Sequence, residues 1–474
     1  MLIQYRQVRQ KQLKALDFKE GESLFTVSKD VEITLQLAAK YIKKHTATHK
    51  RLNMLKQYYR GEHSILDKRR RNDLPNNRIV VNKAKYIADI SAGYLAGTPV
   101  SYKSEEDITA LTDLLKISDS STQDSDLALD GAIYGCSFEL VYMSDDEVPV
   151  PMLAKIAPQS AFVVYDDTVA HKPVFGVVYY PIFDDHDRTT GYNCTLYADG
   201  FTQDFVVDTS YNIMSQDESI NNVFGIIQLN EIWNNPTCQG DFEQVISLID
   251  AYNSLMSNRL NDKDQFIDAL LAIYGTTLGD SHTEKIENYK SIKETGTVEL
   301  PEEAKAEYLT RQLDEASVEI LRKSLKEDIH TISFVPDMSD ENFCGNSSGV
   351  AMSYKILAFE LMTKTKERFF KEGLKYRLKL FYNILELRNQ ANFDLNNIEI
   401  NMTRSLPSNT QEIANIVATL QGICSKETLI SQLPFVDDPA DEMQKLKNEQ
   451  NESLEYQQSI FAVHDGDDNA DDEK

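Results

Sequence analysis

Between Val350 and Gln390 the chain has no proline, and Ile356, Leu357, Phe359, Leu361, Phe370, Leu374, Leu378, Phe381 and Leu385 recur at helical spacing. A helix of about 40 residues, rising about 1.5 Å per residue, is roughly 60 Å long, about twice the diameter of a small domain. An element of that length needs a partner surface along it, so a small self-contained bundle is excluded. Gly373 is the position where a bend is expected. The polar stretch from Asp337 to Gly349, with two glycines and little to bury, reads as a loop leading into this helix.

Upstream, two further helices are predicted. Phe242, Val245, Ile246, Ile249, Tyr252, Met256 and Leu260 mark one face of the first, and Leu321, Leu325 and Ile329 one side of the second, which ends before Phe334-Val335-Pro336. A compact segment holding Gly275, Gly279, Gly296 and Pro301 lies between them. Residues 137–235 read instead as strands: Phe138–Tyr142, Ala161–Tyr165, Val174–Tyr180 and Tyr192–Tyr197 are rich in β-branched and aromatic residues and separated by turn residues. They predict an antiparallel meander with one wet face. Arg78–Asn82 reads as a short strand, followed by a helix through Ile87, Ile90 and Tyr94 that stops at Pro99. Ile398–Met402 reads as another strand, Asn409–Glu412 as a capping box opening a helix, and Asp438-Pro439 as the cap of another. The fold class expected is α+β, mainly helical.

Charge narrows the function. The 474 residues carry 49 Lys+Arg against 75 Asp+Glu, a net charge of −26, which excludes a protein that wraps nucleic acid by neutralising phosphates. It permits one that lets nucleic acid pass without gripping it. The five cysteines show no CxxC pair and read as reduced thiols of an intracellular chain. Neither a secretory signal nor about 18 consecutive apolar residues is present, so no membrane association is expected.

Chemistry finds little support. Gly345–Gly349 lacks the GK[ST] ending of a phosphate-binding loop, and there is no GxGxxG, HExxH or GxSxG. His45 and His49 have a metal-ligand spacing but sit among Lys43, Lys44 and Lys50, so a solvated helix face is expected and no metal or other cofactor. Asp166/Asp167 and Asp184/Asp185/Asp187 fall where turns belong; a metal-dependent nuclease built on the latter cluster with His186 is the enzymatic alternative. Lys68–Arg71 reads as a solvated basic loop, Gly93 and Gly97 as a close helix-packing pair, and Trp233 as a core or interface anchor.

The order of elements, long helix, compact insert, second helix, polar Gly/Ser loop and very long helix, resembles the portal proteins of tailed bacteriophages, in particular the siphophage type of Gram-positive hosts. Asn76–Asn82 leading to Gly93–Val100 is similar to that family, as is Asp340–Ala351 leading into the long helix. The resemblance implies a ring, usually of about twelve subunits, at one capsid vertex of the virion, through which double-stranded DNA is packaged and ejected. It also implies a non-enzymatic chain assembled in the host cytoplasm. Partners implied are further copies of itself, the terminase large subunit, head-completion or adaptor proteins, and the major capsid and scaffolding proteins. By position, 1–57 would be an N-terminal helical arm and 58–239 the β-rich wing lobe. Residues 240–265 and 311–332 would be the stem helices on either side of a clip at 266–310, and 333–348 the tunnel loop. Residues 349–408 would be the long helix and returning strand of the wing, 409–458 a crown, and 459–474 an acidic disordered tail. The residues implied to face DNA are Asp337, Ser339, Asp340, Glu341, Asn342, Phe343, Gly345, Asn346, Ser347, Ser348 and Gly349. Asp337, Asp340 and Glu341 have no compensating Lys or Arg in that stretch. Twelve helices about 10 Å across, side by side, enclose an opening of roughly 28 Å, enough for a duplex about 20 Å wide with a layer of water. A non-conducting scaffold or adaptor ring is the other alternative.

Overall fold

The computed structural model describes residues 25–69, 75–267, 270–277, 279–295, 301, 304–309, 315–339 and 349–404. Beyond these it describes 415, 417–431, 433, 436 and 442–449. They divide into two compact units, residues 1–338 with 356–404, and residues 339–355 with 405–474.

The first unit begins with strand β1 (Phe25–Val27) and helix α1 (Leu35–Arg60), which Thr34 opens by accepting from the Leu37 amide and Gly61 closes at φ 86°. Helix α2 (Lys83–Ala96), strand β2 (Ser101–Lys103) and helices α3 (Thr109–Ile117) and α4 (Ser120–Tyr134) follow. Next come β3 (Cys136–Met143), β4 (Pro151–Ile156), β5 (Ala161–Asp166), β6 (Pro173–Phe183), β7 (Thr189–Tyr197), β8 (Phe201–Asp208), β9 (Ile213–Gln216), β10 (Ile220–Asn221) and β11 (Leu229–Trp233). Strands β5 to β8 pair in sequence order as the expected antiparallel meander, extended by parallel β1 on β5 and by β9 and β10 on β8. Strand β3, read above as part of that meander, belongs instead to a separate sheet, β11-β3-β4.

The meander's wet face is smaller than its pattern suggests. Phe162, Val164, Phe175, Val177, Tyr179, Leu196 and Phe205 pack under Leu35, Ala38, Ala39, Tyr41 and Ile42 of α1. On the opposite side Ala161, Val163 and Val178 meet Phe138, Ile227 and Leu229 beneath the three-stranded sheet. Helix α1 therefore closes one core and, through Leu52, Leu55 and Tyr58, enters a second, so the boundary at 57 drawn for an arm falls inside it. His45 is buried in the first of these, not solvated. Its Nδ1 and His49 Nε2 lie 2.7 and 2.9 Å from the Tyr179 hydroxyl, and burial holds the His45 pKa down at about 3.

Helix α5 (Ile246–Ile267) leads to β12 (Leu270–Tyr274), helix α6 (His282–Thr295) and β13 (Lys305–Leu309), where β12 and β13 form an antiparallel ribbon. Helix α7 (Glu315–Ser333) then returns beside α5. Arg259 reaches Glu315 at 2.7 Å and Glu319 at 3.1 Å, and Arg322 donates to the Tyr252 hydroxyl at 3.3 Å. Strand β14 (Glu399–Asn401) pairs with β2, and the 39-residue helix α8 (Gly349–Leu387) belongs to this unit from Ile356 onward. Its buried stripe is Ile356, Phe359, Phe370, Leu374, Leu378, Phe381 and Leu385, each worth about 1.5–3 kcal/mol on burial. Leu357 and Leu361, counted in the same pattern, are exposed.

Gly373 does not break the helix. It lets β11 approach: a Cβ there would lie 2.5 Å from Ile232 Cγ1, and the Asn230 amide donates to the Gly373 carbonyl at 2.9 Å. One turn on, Arg377 is fully buried between Asp124 of α4 (2.7 Å) and Glu139 of β3 (2.7 Å). Gly93 likewise departs from expectation. It is exposed, and a Cβ would meet nothing within 4 Å, so no close helix packing occurs at it within the described chain.

In the second unit, helix α9 (Lys426–Ile430) is capped by Ser425, whose Oγ accepts from the Thr428 amide at 3.3 Å. The Asn409 capping box, Asp438-Pro439 and the acidic tail lie outside the described residues.

Candidate functional site

Of the residues singled out as DNA-facing, Asp337, Ser339 and Gly349 are described. Asp340, Glu341, Asn342, Phe343, Gly345, Asn346, Ser347 and Ser348 lie outside the described residues. The two ends of this stretch are built from the sequence as follows.

Helix α7 stops at Ser333, and Phe334 turns the chain with φ 60°, a left-handed conformation that costs a non-glycine residue about 1–2 kcal/mol. Four contacts offset it. His330 Nδ1 donates to the Val335 carbonyl at 2.9 Å. The Tyr86 hydroxyl of α2 donates to the Pro336 carbonyl and accepts from the Met338 amide, each at 2.9 Å. Asp337 forms an ion pair with Lys326. The other ring nitrogen of His330 lies 3.2 Å from Lys83 Nζ, so it accepts there, and burial lowers the His330 pKa, which keeps the ring neutral and this tautomer in place. Asp337 is thus compensated, contrary to the reading of the stretch in isolation: the cation comes from α7, eleven positions earlier in the chain.

Beyond the loop, α8 is referred to the same helix α2. The Tyr94 hydroxyl donates to Glu360 Oε2 at 2.6 Å, the Tyr94 and Phe359 rings lie 4.6 Å apart, and Arg404 pairs with Glu360 and Glu367. One rigid helix therefore holds both the incoming root, through Tyr86, and the outgoing shaft, through Tyr94. Sequence reading missed Tyr86, His330 and Glu360, whose contacts with Pro336, Lys83 and Tyr94 cross 250, 247 and 266 positions, and Lys326, which meets Asp337 only where the chain turns after α7.

The segment before α2 is fastened in an unexpected way. Residues 78–82 form no strand. The amides of Asn77, Ile79 and Val81 donate to Asn261, Ser257 and Asn253 of α5, at 2.6, 2.9 and 2.9 Å. Those side chains sit four residues apart and are almost fully buried, so a helix face serves as the partner of this extended segment. Polar residues at i, i+4 and i+8 inside an amphipathic helix were the available signal.

The acidic clusters act locally. Asp184 accepts from the amides of His186 and Arg188, both at 2.9 Å, and Asp166 from Thr168 and Lys172. Among the described residues no group of three or more His, Cys, Asp or Glu side chains could hold a metal ion, and no described helix is long and apolar enough to cross a membrane. Cys136, Cys194, Cys238 and Cys424 are free thiols.

Residues 38–456 match the family described as phage portal protein, SPP1 Gp6-like. The chain belongs to this portal family. The portal protein of Bacillus phage SPP1 is 24% identical over 446 residues, covering 87% of this chain and 86% of that one. The portal protein of Clostridium phage phiCD119 is 25% identical over 431 residues, covering 82% and 90%. A solved structure described as the neck of an empty GTA particle computed with C6 symmetry covers 74% of this chain and 89% of its own, with TM-score 0.45 and 13% identity. The mixed helix-and-strand architecture and the sequence resemblance thus agree with the family match, and the chain is a phage portal protein, a component of the virion.

Proposed function

We propose that copies of this chain close into a ring, twelve in the usual case, at one capsid vertex, and that genome DNA enters and leaves through its axis. The observation that carries this reading is the family match running from residue 38 to residue 456, which takes in the described elements from α1 to α9 and leaves out β1 and the first three residues of α1. Helices α5 and α7 are proposed as the stem, the β12–α6–β13 insert as the clip, and residues 337–349 as the loop facing DNA. Terminase large subunit would dock at the clip during packaging and head-completion or adaptor proteins afterwards. Major capsid and scaffolding proteins would surround the ring as it assembles in the host cytoplasm.

The chain acts as a passive conduit in this account, and the motor supplies the energy. The net charge of −26 opposes the accumulation of phosphate contacts that would stall a moving duplex. Asp337 is paired with Lys326, and the other acidic residues in the sequence of the loop stretch are Asp340 and Glu341.

The test replaces Asp340 and Glu341 together with lysine. Rings should assemble as before while DNA packaging in a reconstituted motor slows, with the defect relieved by added salt. Packaging at the unmodified rate would remove the loop's electrostatic role. A purified chain that forms closed rings without an axial opening would favour the scaffold reading.

A further inference from the structure

Where β5, β11 and α8 meet, the first unit holds a pocket of about 260 Å³ that the portal reading does not use. Its walls include Tyr165, Trp233, Phe369 and Tyr376, and its acidic groups are Glu231 and Glu372. Trp233 stacks on Phe369 with ring centroids 6.3 Å apart and stands edge-on to Tyr165 at 6.1 Å. The Tyr376 hydroxyl is already spent on the Ile227 carbonyl at 2.9 Å, which leaves its ring as wall.

Glu231 is the anomaly. Its carboxylate accepts from the Tyr165 hydroxyl at 3.0 Å, but no Lys or Arg pairs with it among the described residues, and none lines the pocket. An unpaired carboxylate withdrawn from water is costly unless a cation meets it. Burial accordingly pushes its pKa up to about 7. Glu372 stands at an exposed position, 3.1 Å from Lys375 on the next helical turn, and adds a second negative group. Among the described residues Glu139 and Asp124 pair with Arg377, Glu243 with Arg51 and Asp241 with Lys366, whereas the buried Asp166 accepts from the Thr168 hydroxyl and from the Thr168 and Lys172 amides.

We propose that this pocket receives the guanidinium or ammonium head of a basic side chain, with Glu231 as its counter-ion and the aromatic rings as its walls. Aromatic faces attract cations, and a planar guanidinium can both stack on a ring and engage a carboxylate through paired N–H donors. The volume lies below the roughly 300 Å³ at which pockets for drug-sized ligands begin, which suits a side-chain head better than a larger ligand. Two sources share this chemistry: a basic residue of the chain's own first 24 positions, which include Arg6, Arg9, Lys11 and Lys14, and a basic residue of another protein.

Trp233 is the only tryptophan, so its fluorescence reports this pocket directly. The full-length chain, and a full-length variant with Arg6, Arg9, Lys11 and Lys14 changed to Gln, are titrated at constant ionic strength with L-arginine methyl ester and with the methyl ester of citrulline, its neutral isostere. The expected result is a saturable signal with the arginine ester, at least tenfold weaker with citrulline, and weakened at least tenfold by Glu231→Gln. Glu372→Gln, at an exposed position where folding is not at stake, should weaken it about threefold. Binding to both proteins identifies an external partner as the source, and binding to the Gln variant alone identifies the chain's own segment. No saturable signal in either protein, equal binding of citrulline, or indifference to both Glu231→Gln and Glu372→Gln would overturn the proposal.

Discussion

Replacing Arg377 with methionine tests how the long helix is held. Arg377 has no solvent exposure; its guanidinium lies 2.7 Å from Asp124, whose side chain is 3% exposed, and 2.7 Å from Glu139, which is 0% exposed. Methionine preserves much of the volume but leaves two buried carboxylates without a cation. Removing one partner of a buried pair costs about 3–5 kcal/mol, and two stranded charges place this site at the upper end. The loss should shrink in acid, because burial already raises the Asp124 pKa to about 6 and protonation removes the stranded charge. Urea unfolding followed by Trp233 fluorescence is a suitable assay, since Trp233 stacks on Phe369, eight residues before Arg377 on the same helix. The expected loss is about 5 kcal/mol at pH 8 and about half of that at pH 5. The triple variant Arg377→Met, Glu139→Gln, Asp124→Asn should recover to within about 1–2 kcal/mol of the parent, as buried ion pairs replaced as a unit often do. A single variant within about 1 kcal/mol of the parent at pH 8, or a triple variant as damaged as the single one, would refute the reasoning.

Other outcomes follow from the same structure. Tyr86→Phe removes the hydroxyl that both donates to Pro336 and accepts from Met338; amide exchange at Met338 should accelerate at least tenfold, equivalent to about 1.4 kcal/mol, and unchanged exchange would remove Tyr86 from the loop root. Gly373→Ala places a Cβ 2.5 Å from Ile232, so overpacking of about 1–3 kcal/mol should outweigh the helix-propensity gain of about 1 kcal/mol, and Ile232→Val should restore part of the loss in thermal unfolding. Burial raises the pKa of Glu231 to about 7 and of Asp130 to about 6, so the folded chain holds these protons more tightly than the unfolded chain. That contribution is complete below about pH 4 and is lost as pH rises through 6 to 7. Unfolding free energy should fall between pH 5.5 and 8 by about 2 kcal/mol from Glu231, lowering the melting temperature, and Glu231→Gln should flatten the profile.

The long helix, its flanking helix pair and the meander were legible because each carries a periodicity that one face of packing explains: Phe370, Leu374, Leu378 and Phe381 on α8, and alternating Cys194 and Leu196 on β7. What was not legible depends on partners distant in the chain. Arg78–Asn82 has the composition of a strand, yet the amides of Ile79 and Val81, like that of the preceding Asn77, go to Ser257, Asn253 and Asn261, so composition reported extended backbone and not its partner. His45 sits among lysines in sequence, but the lysines point away from the face that Tyr179 and Phe162 bury. Gly373 signalled a special position, and only the approach of Ile232 says which kind. At the candidate site, the resemblance marked the loop, whereas the charge on Asp337 could be judged only once α7 brought Lys326 to it.

Electron cryomicroscopy of the purified full-length chain, with its mass measured in parallel, bears most directly on the central claim. Closure predicts a ring with an open axial hole wide enough for a duplex and, for twelve chains of 54.0 kDa, a mass of roughly 650 kDa. A particle that stays a single 54.0 kDa chain at high concentration, or a ring with no passage along its axis, would contradict it.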